Sequence, residues 1–327
     1  MFKSKVTKPI IIISGEPNSI FSEILVKSFK SYKNKKPIIL IGSYDLIVQQ
    51  LKKMRLNVGL NLINYEKNKF DNLIINKINV INIKYNFKKP FEKISSKSNH
   101  YIKRCFNKAF DVIKKNKISG LINGPISKKY FLKSKYPGIT EYLSKAFKIQ
   151  NRHSMLIYNE NLSISPIITH LPISKVSKKL SKNDIVVKSL LISNFFYKTL
   201  SKKPKIGITG LNPHCENFLG ASEENKIIIP AIKNLRRKKI NVTGPFPADT
   251  IFLKKNIKKF DVIIGMYHDQ VLSPIKAIYG FDAINITLGL PFLRVSPDHG
   301  PNTEMIGKNK SDPKSLIKAI RFLDKNK

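Results

Sequence analysis

The sequence predicts an α/β protein of two domains, with a mostly parallel sheet covered on both faces by helices and one continuous sheet edge carrying the site. Three observations predict it. Short, β-branched apolar runs recur along the chain, amphipathic helical patterns lie between most of them, and 327 residues exceed a single domain of ~100–200.

The elements follow in order. The first run, KPIIIIS (8–14), leads into the amphipathic stretch IFSEILVKSFKSY (20–32). KPIILIG (36–42) leads into YDLIVQQLKKM (44–54). HYIKRCFNKAFDVIKKN (100–116) carries apolar residues at spacings of three and four, which puts them on one helical face. ISGLING (118–124), SISPIIT (163–169), PKIGITG (204–210), INVTG (240–244), FDVIIGMY (260–267) and AINITL (283–288) read as further strands. The stretch 181–200 opens with Ser181 and Asp184 in capping-box spacing, and 222–238 opens with Ser222 and two carboxylates in its first turn; both are helix starts. No internal repeat or low-complexity linker marks a domain break.

Composition narrows the function. The longest apolar runs are strand length, far short of the ~20 residues of a membrane helix. The N-terminus is basic, but its apolar run is four residues and no small-residue cleavage site follows, so we expect no signal peptide and a cytoplasmic protein. Cys105 and Cys215 are expected as free thiols; because Cys215 adjoins His214, metal ligation is its alternative. The net charge is +39, from 60 Lys and Arg against 21 Asp and Glu. Such an excess attracts nucleic acid. Here, however, the basic residues are mostly Lys and are scattered through nearly every segment. Lys, Asn and Ile are abundant together, as an AT-rich coding sequence supplies. We therefore expect solvated lysines, no specific nucleic acid and no membrane partner. Salt-sensitive retention of random oligonucleotide would mark the opposite case.

Ligands of open α/β sheets bind beyond the carboxyl ends of strands. Three of the six histidines follow a predicted strand: His170 in SPIITHLP, His214 in KIGITGLNPH and His268 in DVIIGMYHD. Pro172 and Pro213 stiffen two of these turns. Three imidazoles on one sheet edge, with a fourth position open, form the pattern of a catalytic divalent metal site. The alternative for each is a hydrogen-bonded surface histidine. Lys276, Asn285 and Arg294 follow the third histidine. Cations and an amide near a metal suit an anionic, phosphate-bearing substrate, although each read singly is a solvated residue. Asp249 and Asp269 also lie near strand ends, where a carboxylate can orient an imidazole or take a proton; ADTIF reads equally as a helix start. Neither GxGxxG after the first strand nor GxxxxGK[ST] is present.

GLNPH, GPFPADTIF, MYHDQ, NITLGLPFLR and DHG…GK…DP occur in that order. Together they resemble the 4-hydroxythreonine-4-phosphate dehydrogenase family of pyridoxal phosphate biosynthesis. The resemblance spans roughly residues 118–327 and is weaker before them. It implies a two-domain α/β/α fold like that of isocitrate and isopropylmalate dehydrogenases, rather than the Rossmann dinucleotide fold. The first domain would take 1–125 plus about 311–327 and the second 126–310, with the active-site cleft between them. The resemblance implies a homodimer with the site at its interface, one histidine being supplied across it. It implies one divalent ion (zinc, magnesium or cobalt) on His170, His214 and His268. Thr140, Lys276, Asn285 and Arg294 would bind the phosphorylated amino-acid substrate. His299 and Gly300 would contact NAD, or NADP in its place. Asp249 and Asp269 would act behind the metal or in proton transfer.

The implied reaction oxidises 4-phosphohydroxy-L-threonine to a 3-keto acid, which loses carbon dioxide to give 3-amino-2-oxopropyl phosphate. Three stretches depart from the family pattern. GITE stands where the family has Gly-His-Thr-Glu, so Ile139 replaces a substrate-contacting histidine. GEPNSIFSE replaces a glycine-richer turn, and CENFLGASEE is altered after NPH. The alternatives are a dehydrogenase of a related phosphorylated hydroxy acid and a metal-dependent hydrolase. The DHG…GK…DP loop favours a dehydrogenase, because a hydrolase needs no dinucleotide.

Overall fold

The computed structural model describes residues 8–68, 70–132, 135–149, 152–216, 222–280, 282–297 and 300–326. Among them are strands β1 (Ile10–Ile13), β2 (Ile38–Gly42), β3 (Leu60–Ile63), β4 (Ile78–Asn82), β5 (Gly120–Asn123), β6 (Ser154–Tyr158), β7 (Ser163–Ile168), β8 (Ile206–Thr209), β9 (Val242–Phe246), β10 (Val262–Tyr267), β11 (Ile284–Leu288) and β12 (Arg294–Ser296). The chain forms two compact units, Met1–Pro137 with Phe292–Lys327, and Gly138–Pro291. The crossings fall at 137/138 and 291/292, where the sequence suggested 125/126 and about 310/311. The second comes earlier because β12 pairs with β5 and so belongs to unit one.

Unit one orders its strands β3-β4-β2-β1-β5-β12, every pair parallel. Ile10, Ile11, Ile12 and Ile13 are each 0% exposed, so both faces of β1 are covered, as a central parallel strand requires. Helix Asn99–Lys115 lies on β1 and β2, and helix Lys314–Lys325 on β1, β5 and β12. The carboxyl ends of β1 and β2 are closed by polar groups. The Tyr101 hydroxyl accepts from Ser43 N at 2.9 Å and lies 2.8 Å from Ser14 Oγ. Glu16, 1% exposed, accepts from Ser98 Oγ at 2.8 Å and from Asn18 N at 3.2 Å. Burial still pushes its carboxyl above the ordinary value, because these donors only partly offset desolvation.

Unit two orders its strands β11-β6-β7-β10-β8-β9. β7, β10, β8 and β9 run parallel, while β6 is antiparallel to both neighbours. The sheet is thus mixed. The four residues from β6 to β7 allow a hairpin, whereas a parallel return needs a dozen or more. Helix Lys182–Leu200 starts where the capping signal placed it: Ser181 Oγ accepts from Asp184 N at 3.1 Å. Helix His268–Tyr279 packs on β7 and β10, with Val271 and Ile275 buried against Ile164 and Ile263. No helix among the described residues is long and apolar enough to cross a membrane.

Candidate active site

β7, β10 and β8 are adjacent and parallel, so their carboxyl ends share one edge of unit two. Each end leads to one of the three predicted histidines. Tyr267 pairs with Ile168 in register, so the chain segments beyond them emerge side by side. His268 opens its helix immediately after β10, and His170 lies two residues past β7. Their ring centroids are 5.9 Å apart. His214 sits in the turn Pro213–Cys215 after β8. Among the described residues, no three His, Cys, Asp or Glu side chains converge as a metal-binding group, so His214 does not join the pair within one chain. A cavity of about 200 Å³ opens beside the pair, lined by Ile168, His170, Leu171, Tyr267, His268 and Asp269.

Carboxylates stand behind both rings. His268 Nδ1 is 2.6 Å from Asp269 Oδ1, and His170 Nδ1 is 3.4 Å from Glu141 Oε1. With Nδ1 so engaged, Nε2 of each ring is the nitrogen left to face a ligand, as in carboxylate–histidine–metal arrangements. Burial pushes the Glu141 carboxyl up. Its hydrogen bond to His170, its own backbone N–H and the nearby imidazoles outweigh that and hold it below the ordinary value. Gly138 leaves room for this pair: a Cβ there would lie 2.9 Å from Glu141 Oε2 and 3.3 Å from His170 Cε1, so a side chain would displace the carboxylate. Among the described residues, Glu141 Oε2 and His153 Nδ1 are buried without a hydrogen-bond partner.

The turn carrying His214 is held on every side. Gln270 Oε1 accepts from Met266 N at 2.7 Å and Thr209 Oγ1 at 2.8 Å, while its Nε2 donates to Gly210 O at 2.8 Å. One amide thus ties the start of the His268 helix to the end of β8. Glu224 Oε1 accepts from Leu211 N at 2.7 Å and Asn212 N at 2.9 Å, and its Oε2 from Asn212 Nδ2 at 2.8 Å. Burial raises the Glu224 carboxyl, but these donors prevail and hold it below its ordinary value. His214 and Cys215 adopt φ of 56° and 59°. Left-handed backbone costs an L-residue ~1–2 kcal/mol, so two in succession need such anchoring. Both cysteines are free. Burial pushes the Cys215 thiol up, and Glu224 and Asp249 add to it.

The remaining predicted residues are placed as follows. Thr140 Oγ1 lies 3.2 Å from Thr287 Oγ1. Asn285 and Thr287 are alternate residues of β11 and face the same side. Asn285 Oδ1 is buried without a partner among the described residues. Lys276 is half-buried two turns along the His268 helix, and burial lowers its amine. Arg294, 3% exposed on β12 of unit one, donates from Nε and Nη2 to Asn123 Oδ1 at 2.8 and 2.6 Å. Asp249 is exposed in helix Ala248–Ile251, which packs on the His214 turn. Ile139 is the half-buried first residue of helix Ile139–Ala146. Gly300 is exposed, and His299 lies outside the described residues. The sequence reading missed Glu141, Asn123 and Thr287, whose partners lie far along the chain, and took Glu224 only as a first-turn carboxylate, although its partners Leu211 and Asn212 are close in sequence.

Known proteins match nearly the whole chain. It is 35% identical over 317 residues to the 4-hydroxythreonine-4-phosphate dehydrogenase of Sulfurihydrogenibium sp., covering 96% of each. It is 30% identical over 323 residues to the D-threonate 4-phosphate dehydrogenase of Salmonella typhimurium, covering 97% of this chain and 98% of that one. The crystal structure of 4-hydroxythreonine-4-phosphate dehydrogenase from Klebsiella pneumoniae superposes with a TM-score of 0.83 at 26% identity, covering 97% and 98%. A β-decarboxylating dehydrogenase from Thermococcus kodakarensis shares the fold at TM-score 0.52 and 12% identity, covering 97% and 82%, so the expected kinship of fold holds. The family model described as "Pyridoxal phosphate biosynthetic protein PdxA" matches residues 33–323, and the chain belongs to that family.

Proposed function

We propose that this protein oxidises 4-phosphohydroxy-L-threonine with NAD, giving a 3-keto acid that decarboxylates to 3-amino-2-oxopropyl phosphate. The observation that carries the reading is the pair His170 and His268, each with a carboxylate at Nδ1, on one strand edge of a PdxA-family chain. The donor set fits a divalent metal ion: two neighbouring imidazoles, each with a supporting acid at Nδ1. His214 completes the set from a second copy of the chain. Leu171 and Ile173, 43% and 73% exposed beside the pair, are the apolar surface such a copy would cover. When bound, the metal supplies Lewis-acid polarisation of the substrate hydroxyl, and NAD supplies the hydride acceptor.

The chain's own residues do the rest. Lys276 and Arg294 bind the substrate's anionic groups, with Asn123 holding the Arg294 guanidinium in one orientation. Asn285 Oδ1 is an acceptor awaiting a donor, and an ammonium or hydroxyl supplies one. Thr140 offers a hydroxyl, 3.2 Å from that of Thr287 on the same face of β11. Asp269 and Glu141 fix the two imidazole tautomers, and Asp249, exposed near the third, is the candidate for moving a proton to solvent. His299 and Gly300 are assigned to the dinucleotide on the resemblance.

The test is NADH formation by purified protein with 4-phosphohydroxy-L-threonine, with and without chelator. D-threonate 4-phosphate serves as comparator, because a relative of similar identity carries that name. Chelator-sensitive turnover of the first substrate is expected. Preference for the second would move the assignment to a related phosphorylated hydroxy acid.

A further inference from the structure

We propose that Glu224 is a positioning residue for His214, fixing the backbone that presents that imidazole. The inference rests on the reading of His214 as a metal ligand. Glu224 is 1% exposed, in a chain with 60 Lys and Arg, yet among the described residues no basic side chain pairs with it. A buried carboxylate is costly to desolvate, and a leucine or glutamine would fill the same space. A leucine accepts nothing, and a glutamine could keep its Oε1 toward Leu211 N and Asn212 N only by setting its Nε2 donor against Asn212 Nδ2; the carboxylate alone accepts from all three, at 2.7–2.9 Å. Glu223 Oε2 accepts a further bond from Asn212 Nδ2 at 2.9 Å.

These donors sit immediately before the histidine. Pro213, with its fixed φ, is all that separates Asn212 from His214, so an anchor at 211 and 212 is passed rigidly to the imidazole's Cα. The turn needs such an anchor, because His214 and Cys215 both hold left-handed backbone. The packing agrees: a Cβ at Gly210 would lie 2.6 Å from Cys215 Sγ and 3.0 Å from Glu224 Oε1, so the segment folds tightly over the carboxylate. Glu224 thus acts on the metal site through backbone, in contrast to Asp269 and Glu141, which address their rings directly.

The experiment is a Co(II) titration of wild type, Glu224→Gln, His214→Ala and the double variant, with amide hydrogen exchange at 211 and 212. Glu224→Gln keeps the volume but sets a donor against Asn212 Nδ2. Expected are Co(II) binding weakened about 10–100-fold, faster exchange at both amides, and no added loss when His214 is already Ala. Asn212→Ala, which removes only the side-chain arm, should show a smaller loss of the same sign, and it serves if Glu224→Gln does not fold. Wild-type affinity in a folded Glu224→Gln or Asn212→Ala protein overturns the proposal while leaving the metal reading intact. So does an equal loss in the His214→Ala background. A wild type that binds no Co(II) overturns the metal reading and this proposal together.

Discussion

The strands of the two units treat polar groups at their carboxyl ends in opposite ways. In unit one, Ser14, Ser43, Tyr101, Glu16 and Ser98 bond to one another and close the edge. In unit two, Gln270 and Glu224 fix the backbone, while His170 and His268 face a cavity. The same position in a parallel sheet can therefore serve stability or chemistry. Which one it serves is read from whether the hydrogen bonds end within the fold or stop short of a cavity.

The comparison is testable by mutating both edges. His268→Ala should remove the largest effect. Metal-ion catalysis supplies several kcal/mol, which at ~1.36 kcal/mol per tenfold is about a thousandfold in chelator-sensitive kcat/KM. Its Tm should stay near wild type, and full activity in this variant would place the chemistry elsewhere. Next comes Ile139→His, which on the proposed function would give the substrate a further donor. A hydrogen bond to a charged group is worth ~1.5–3 kcal/mol, so KM for 4-phosphohydroxy-L-threonine should fall about one to two orders of magnitude. An unchanged KM in a folded protein points to a substrate lacking the matching group.

The closed edge should behave in reverse. Tyr101→Phe strands the Ser43 amide and should cost ~1–3 kcal/mol in urea unfolding, with kcat/KM of the folded enzyme unchanged; lost activity at full stability would dissolve the contrast. Glu16→Gln should give the smallest effect. Burial raises the Glu16 carboxyl in the folded state, so its contribution is most favourable below the unfolded pKa and is lost as pH rises through the folded one. The Tm of the variant relative to wild type should therefore rise from pH 4 to pH 8. A difference independent of pH would show that Glu16 folds without a shifted pKa.

Runs such as IIII and IILIG were legible as strands because β-branched residues with both faces buried leave no other reading. β3 (LNLI) and β4 (INVIN) were not, since their Asn residues break the apolar run; Asn79 is wholly buried, its amide bonding to Ile38 O and Ile74 O. β6 (SMLIY) lacks a β-branched run, and three-residue β12 is too short to signal itself. The histidines could be read because strand ends are local. Their supports could not: Asn123 and Arg294 are 171 residues apart, and nothing in either neighbourhood names the other.

The place of β12 has a consequence in time. β5 is flanked by β1 and β12, yet Asn123 and Arg294 are separated by the whole of unit two. At a ribosomal rate of ~5–20 residues per second, about ten to thirty seconds pass between them. During that interval one edge of the nascent unit-one sheet is an open row of backbone donors and acceptors. Unit two is contiguous and can fold to completion first. Until Arg294, Val295 and Ser296 emerge, that side of β5 lacks its strand partner, and an uncovered strand edge is the kind of surface that invites pairing with another chain.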